Sequence, residues 1–151
     1  MEKEKAELQK NMSWFQKEIV LEQRARGFHL VTDEILGQIP EIKNIKTGLI
    51  QIHIKHTSAS LTLNENYDPD VRGDMEKYFS RLVKENESWY EHTSEGSDDM
   101  PSHIKSTIIG TSLTIPITDG ALNLGMWQGI YLCEHRNHAG SRKIVVTVFG
   151  E

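Results

Sequence analysis

The sequence predicts an α+β single domain with a β-sandwich, jelly-roll-like core and two main helices. Three observations predict it. Short runs such as Gly48 to Ile54 and Ile130 to His135 alternate apolar and polar positions, the period of a half-buried strand. Two stretches, after Asp68-Pro69 and after Pro101, carry apolar residues at helical spacing. A chain of 151 residues is one domain by size and long enough for a proper core.

In chain order, residues 1–13 read as a charged N-terminal extension and residues 14–151 as the domain. Phe15, Ile19 and Leu21 share one face of an opening strand, and Phe28 to Val31 reads as its partner after a turn at Arg26-Gly27. Thr32 or Asp33 is placed to cap a short helix bearing Ile35, Leu36 and Ile39, stopped near Pro40. Ile50, Ile52 and Ile54 then line one strand face, and counting by two places His56 at the end of that face. Ala59, Leu61 and Leu63 define the next strand.

Asp68-Pro69 is a helix start, a capping carboxylate followed by a proline that needs no N–H partner. Val71, Met75, Tyr78, Phe79 and Leu82 follow as a core-facing stripe. Residues 84–99 lack periodicity and read as a long loop, a kind of segment that is often functional. Pro101 to Ile109 reads as the second helix, with Asp98 and Asp99 at its positive end and Gly110 closing it. Strands follow at Leu113 to Ile117 and Ala121 to Leu124, joined by a turn at Asp119-Gly120. Another runs from Ile130 to His135, and a last one from Lys143 to Phe149 is apolar on both faces, as a central strand is.

A formal net charge of −5 argues against nucleic acid or an anionic membrane surface as partner. No apolar run approaches the ~18 residues of a membrane span. Cys133 is the one cysteine, which excludes an internal disulfide and fits a reducing, cytoplasmic compartment.

Seven histidines are many for this length. His56, His103 and His135 each lie beside a polar cluster, and three imidazoles from separate elements suit an open divalent-metal site. His92 is a fourth candidate inside the acidic loop, while His29, His53 and His138 read as ordinary surface or hydrogen-bonded residues. Glu65, Asp98, Asp99 and Glu134 read either as acids that orient imidazoles or move protons, or as caps and solvated carboxylates. Arg136 and Arg142, with Lys143, suit a phosphate, and the competing reading is a solvated loop over Asn137 to Ser141. Ser58 and Asn64 add polar contacts for an anionic ligand. Cys133 reads as core, and Trp127 as a pocket wall or as packing.

Three blocks, HTSASLTLNENYDPDVRGDME, YEHTSEGSDDMPSHIKSTIIGTSLTIPI and LGMWQGIYLCEHR, together resemble the YjbQ-like family, often labelled secondary thiamine-phosphate synthase. The resemblance runs from about Trp14 to Glu151. Tyr67 departs from the pattern, standing where some relatives have cysteine, and Met126 stands where threonine is common. The resemblance implies a β-sandwich fold assembled as a homotrimer, with a pocket near the subunit boundaries. It implies a divalent metal, zinc or magnesium, at His56, His103 and His135; Asn64, Glu65, Asp99, Glu134 and Arg136 lie inside the matched blocks, and Asp99, Glu65 and Glu134 are the candidate catalytic acids or bases. The implied reaction joins hydroxymethylpyrimidine diphosphate to thiazole phosphate. Two further readings stand beside it: a metal-dependent hydrolase, and a non-enzymatic metabolite-binding trimer.

Overall fold

A computed structural model describes residues 1–5 and 12–151; the expected N-terminal extension lies partly on residues 6–11, outside the described residues. Two antiparallel sheets face each other. The larger contains, in spatial order, β1 (Ser13–Leu21), β8 (Arg142–Gly150), β3 (Thr47–Ile54), β5 (Ser112–Thr118) and β6 (Ala121–Leu122). The smaller is β2 (Gly27–Leu30), β7 (Gln128–Glu134) and β4 (Ala59–Glu65). The helices within the domain are α1 (Thr32–Leu36), α2 (Pro69–Leu82) and α3 (Asp99–Ile109), with a 3-10 turn over Pro40–Asn44; residues 2–5 are also helical.

Period-two alternation builds the core between the sheets. Ile50, Ile52 and Ile54 point inward with Ile144, Val146 and Val148, and meet Leu61, Ile130 and Leu132 of the smaller sheet. β3 and β8 run so close that a Cβ on Gly48 would sit 2.4 Å from the Phe149 carbonyl oxygen, which only glycine avoids. The β5–β6 turn uses positive φ at both Asp119 (49°) and Gly120 (79°), as a tight hairpin requires. The other face of the small sheet is also covered. Phe28, Tyr131 and Cys133 pack against Phe79, Met75 and Ile109 of α2 and α3. The alternation of Ile130 to His135 therefore serves two interiors at once.

Four sequence expectations change. β1 pairs with β8 and β2 with β7, not with each other, because residues 22–26 cross from one sheet to the other and Arg26 is anchored there by Glu76 and Glu85. Thr32 does not cap α1; its Oγ1 accepts the Ile130 N–H at 2.9 Å, a β7 donor with greater need of a partner. On α2, Phe79 is buried while Tyr78 and Leu82 are 60% and 53% exposed, because the face that packs on the small sheet carries Phe79 and Met75. β3 ends at Ile54, so the isoleucine face stops before His56.

The outer face of the larger sheet carries an apolar row in register: Trp14 opposite Phe149, Phe149 opposite Leu49, and Leu49 opposite Pro116. Trp14 and Leu49 in this row are exposed.

A buried polar pair sits beneath α3. His135 Nε2 lies 2.7 Å from Ser60 Oγ, and both residues are out of solvent. Burial, with the positive charges of Lys105, Arg142 and Arg26, pushes His135 down from 6.5 to about 3. The folded protein keeps this imidazole neutral while the unfolded chain protonates it below pH 6.5. Stability is therefore lost as pH falls from about 6.5 toward 3, with a slope of up to about 1.4 kcal/mol per pH unit for one proton. Urea unfolding between pH 7 and pH 4 is expected to show this decline, and His135→Gln to flatten it. Packing has its own check: Ile52→Ala, at a fully buried site, is expected to cost about 2–5 kcal/mol, and Tyr78→Ser less than about 0.5 kcal/mol.

Candidate metal centre

The first turn of α3 places the central group. Asp98 holds the cap position and Pro101 lies in the first turn, where its missing N–H is no loss. Acidic side chains suit this end of a helix. Asp99 is 1% exposed, and His103 stands one turn along on the same side. Loop 84–98 returns over this turn and brings His92 beside them.

One carboxylate oxygen organises the cluster. Asp99 Oδ2 lies 2.6 Å from His92 Nε2 and 3.1 Å from His103 Nε2. The ligating atoms of all three residues lie within 4.8 Å of one another. The His103 tautomer is set from behind, since its Nδ1–H donates to the Thr57 carbonyl at 2.9 Å. In a neutral ring that leaves a bare lone pair on Nε2, aimed at a carboxylate oxygen. Two lone pairs cannot face each other at this distance without a proton or a cation between them. Two imidazoles and one carboxylate form a donor set that zinc and related divalent ions accept, with room for a further ligand. The carbonyl behind His103 is the usual orienting partner of a metal-bound histidine. His92 and His103 side chains are 45% and 30% exposed, so the open side faces solvent. The residues present fit such an ion.

Charge balance comes from behind. Arg136 Nη1 donates to Asp99 Oδ1 at 2.6 Å, its Nε to Asp98 Oδ2 at 2.9 Å, and its Nη2 to the Glu95 carbonyl at 2.9 Å. Burial alone would raise the Asp99 carboxyl. The hydrogen bond from His92, the imidazolium charge that His103 bears when its second proton fills the gap to Asp99, and the charge of Arg136 outweigh it and hold Asp99 below the usual carboxylate range.

Of the residues nominated from sequence, the structure brings together Asp99 and His103 and adds His92. His56 and His135 are not in this cluster among the described residues. His56 Nε2 accepts the Lys143 N–H at 2.8 Å, so that lone pair is already used. His135 Nε2 is engaged by Ser60. Arg142 is buried and held at both ends by Glu134, Nε to Oε1 at 2.7 Å and Nη2 to Oε2 at 2.6 Å. It also reaches the Ser58 carbonyl at 3.2 Å. Arg136 is equally committed, so both guanidinium groups nominated for phosphate already hold internal partners.

Asn64 and Glu65 lie at the far end of β4. Glu65 pairs with Gln128 while Ala59 pairs with Glu134, which separates the two ends of the sheet by about 20 Å at the usual strand rise. Asn64 Oδ1 accepts the Glu65 N–H, and Glu65 Oε2 is buried without a partner. Cys133 is buried, and burial pushes its thiol up to about 12, consistent with a core residue. Trp127 packs edge-on against Tyr67, 5.4 Å between ring centres. From sequence His92 is a fourth candidate in the acidic loop but not one of the three metal ligands; its signal is its position in an unpatterned loop that leads into the Asp98-Asp99 turn.

Comparison with known proteins agrees with this architecture. The family model described as UPF0047 protein YjbQ-like matches residues 17–151. The UPF0047 protein YjbQ of Escherichia coli O157:H7 is 56% identical over 138 residues, covering 91% of this chain and 99% of that one. A crystal structure of a YjbQ/UPF0047 family protein from Clostridium acetobutylicum is 31% identical with a TM-score of 0.75, covering 86% of this chain and 97% of that one. A YbjQ-like protein of unknown function from Sulfolobus solfataricus P2 shares the fold, with a TM-score of 0.80 at 24% identity over 93% of this chain and 99% of that one. With its match to the family model over nearly its whole length and its identity to curated members, this chain belongs to the YjbQ-like UPF0047 family.

Proposed function

We propose that the protein is a divalent-metal-dependent enzyme acting on a small molecule at His92, Asp99 and His103. The observation that carries the reading is the convergence of His92 Nε2 and His103 Nε2 on one Asp99 oxygen at 2.6 and 3.1 Å, a cluster whose donor atoms lie close enough to share one ion. A bound divalent ion would supply a Lewis acid for a carbonyl or phosphoryl oxygen and a lowered pKa for water. The chain's own residues do the rest. Thr57 fixes which His103 nitrogen is bare, Arg136 holds Asp99 ionised and oriented, and loop 84–98 delivers His92.

Hydrolysis is the reaction class this geometry favours, because an open side facing solvent gives water direct access. Thiamine-phosphate synthesis, the activity implied by the family blocks, is the narrower reading. It needs a receiver for pyrophosphate, and with Arg136 and Arg142 already paired to carboxylates that role would fall to the metal. Assembly as a homotrimer belongs to the same proposal, and the exposed row of Trp14, Leu49 and Pro116 offers apolar surface that another copy would cover.

Zinc titration with calorimetric readout is expected to give one site per chain. His92→Ala and His103→Ala should each weaken it at least about tenfold, while His56→Ala leaves it unchanged. Equal uptake by the His92→Ala, His103→Ala double variant would contradict the assignment. On the metal-loaded protein, an ester and phosphoester panel is expected to show turnover abolished by chelator. Pyrophosphate release only when hydroxymethylpyrimidine diphosphate and thiazole phosphate are both present would favour the transferase instead.

A further inference from the structure

Loop 84–98 does more than deliver His92, because it also encloses a cavity of about 120 Å³ of which His92 forms part of the wall. That imidazole is therefore shared between the cavity and the candidate cation centre. A ligand bound at the centre would meet this cavity on its His92 side.

The wall chemistry selects the tail. Tyr90, Thr93, Ser97 and the Asn86 side chain supply the polar lining, and Met100 closes one side. Two of these groups have already given away their protons. Tyr90 Oη donates to the Lys84 carbonyl at 2.8 Å, and Ser97 Oγ donates to Glu85 Oε2 at 3.0 Å. Both oxygens keep acceptor capacity only. Among the described residues no lysine or arginine lines it, and Glu87 is the carboxylate that does. Arg136, which reaches this loop at the Glu95 carbonyl, is spent on Asp98 and Asp99. An anionic tail would meet the Tyr90 and Ser97 acceptor oxygens and the Glu87 carboxylate, with only the neutral Asn86 and Thr93 donors and no cation against them, which costs binding. A group rich in hydroxyl donors meets complementary partners. The volume holds roughly four waters' worth of liquid, so the tail is short.

We propose that this loop cavity is a substrate subsite for a short, hydroxyl-bearing, non-anionic group carried by a ligand whose oxygen head binds at His92, Asp99 and His103. The inference rests on the metal reading above and adds the class of the substrate's far end.

Two hydroxamates sharing one metal-binding head test it on cobalt-loaded protein, read by the visible cobalt spectrum. Glycolohydroxamate presents a hydroxymethyl tail, and malonomonohydroxamate a carboxylate tail. The hydroxymethyl compound is expected to bind at least tenfold more tightly. Thr93→Phe, which fills the cavity from an exposed position, should take up cobalt normally yet lose that preference. Ser97→Leu should behave alike, as a second variant in case the first disturbs the loop. Equal affinities, or tighter binding of the carboxylate compound, would overturn the subsite while leaving the metal centre intact. A preference that survives both filled variants would overturn it equally. Failure of the wild-type protein to take up cobalt would overturn both readings together.

Discussion

The Asp99 carboxylate is the constraint on which the site depends. A carboxylate this deeply buried costs several kcal/mol unless it is paired and hydrogen-bonded. Asp99 meets that demand with one oxygen on Arg136 and the other between two imidazoles. Arg136 follows the end of β7, and its remaining donors hold Asp98 and the Glu95 carbonyl. The same ion pair thus fixes the start of α3, the end of β7 and the return of loop 84–98. The catalytic reading and the local stability of this corner share one group.

The fold explains why the corner lies where it does. Sandwich strands end together, and their connections gather at the two rims. β4 begins and β7 ends at the same rim, since Ala59 is opposite Glu134. The Glu134–Arg142 pair is wholly buried there and joins β7 to the first residue of β8. Rigid strands on both sides position Thr57, whose carbonyl orients His103. The small sheet is covered on both faces, so α3 rests on a packed surface.

Much of the fold was legible because it rests on local periodicity. The inward isoleucines of β3, the Asp68 cap that accepts the Asp70 N–H and the Asp119-Gly120 hairpin are each written within a few residues. Strand partners were less legible. β1 and β2 are neighbours in sequence with a plausible turn, and only long-range packing assigns them to different sheets. The site was half legible for the same reason. Asp99 and His103 are four apart on one helix, a spacing with meaning by itself. His92 sits in a loop without pattern, and its place depends on how the Arg136 contacts fold that loop back. Arg136 and Arg142 read as suited to a phosphate because sequence does not reveal which carboxylate a side chain will meet. His56 was read by extending an alternation two residues past the end of its strand.

The central claim is that the donor set is two imidazoles and one carboxylate, His92, His103 and Asp99, and not three imidazoles. X-ray absorption at the zinc edge of the zinc-loaded protein measures that composition directly. Two imidazole nitrogens at about 2.0–2.1 Å with oxygen completing the shell is the expected result, and Asp99→Asn should disturb the oxygen contribution. A shell of three imidazoles, or one unchanged by Asp99→Asn, would contradict the account.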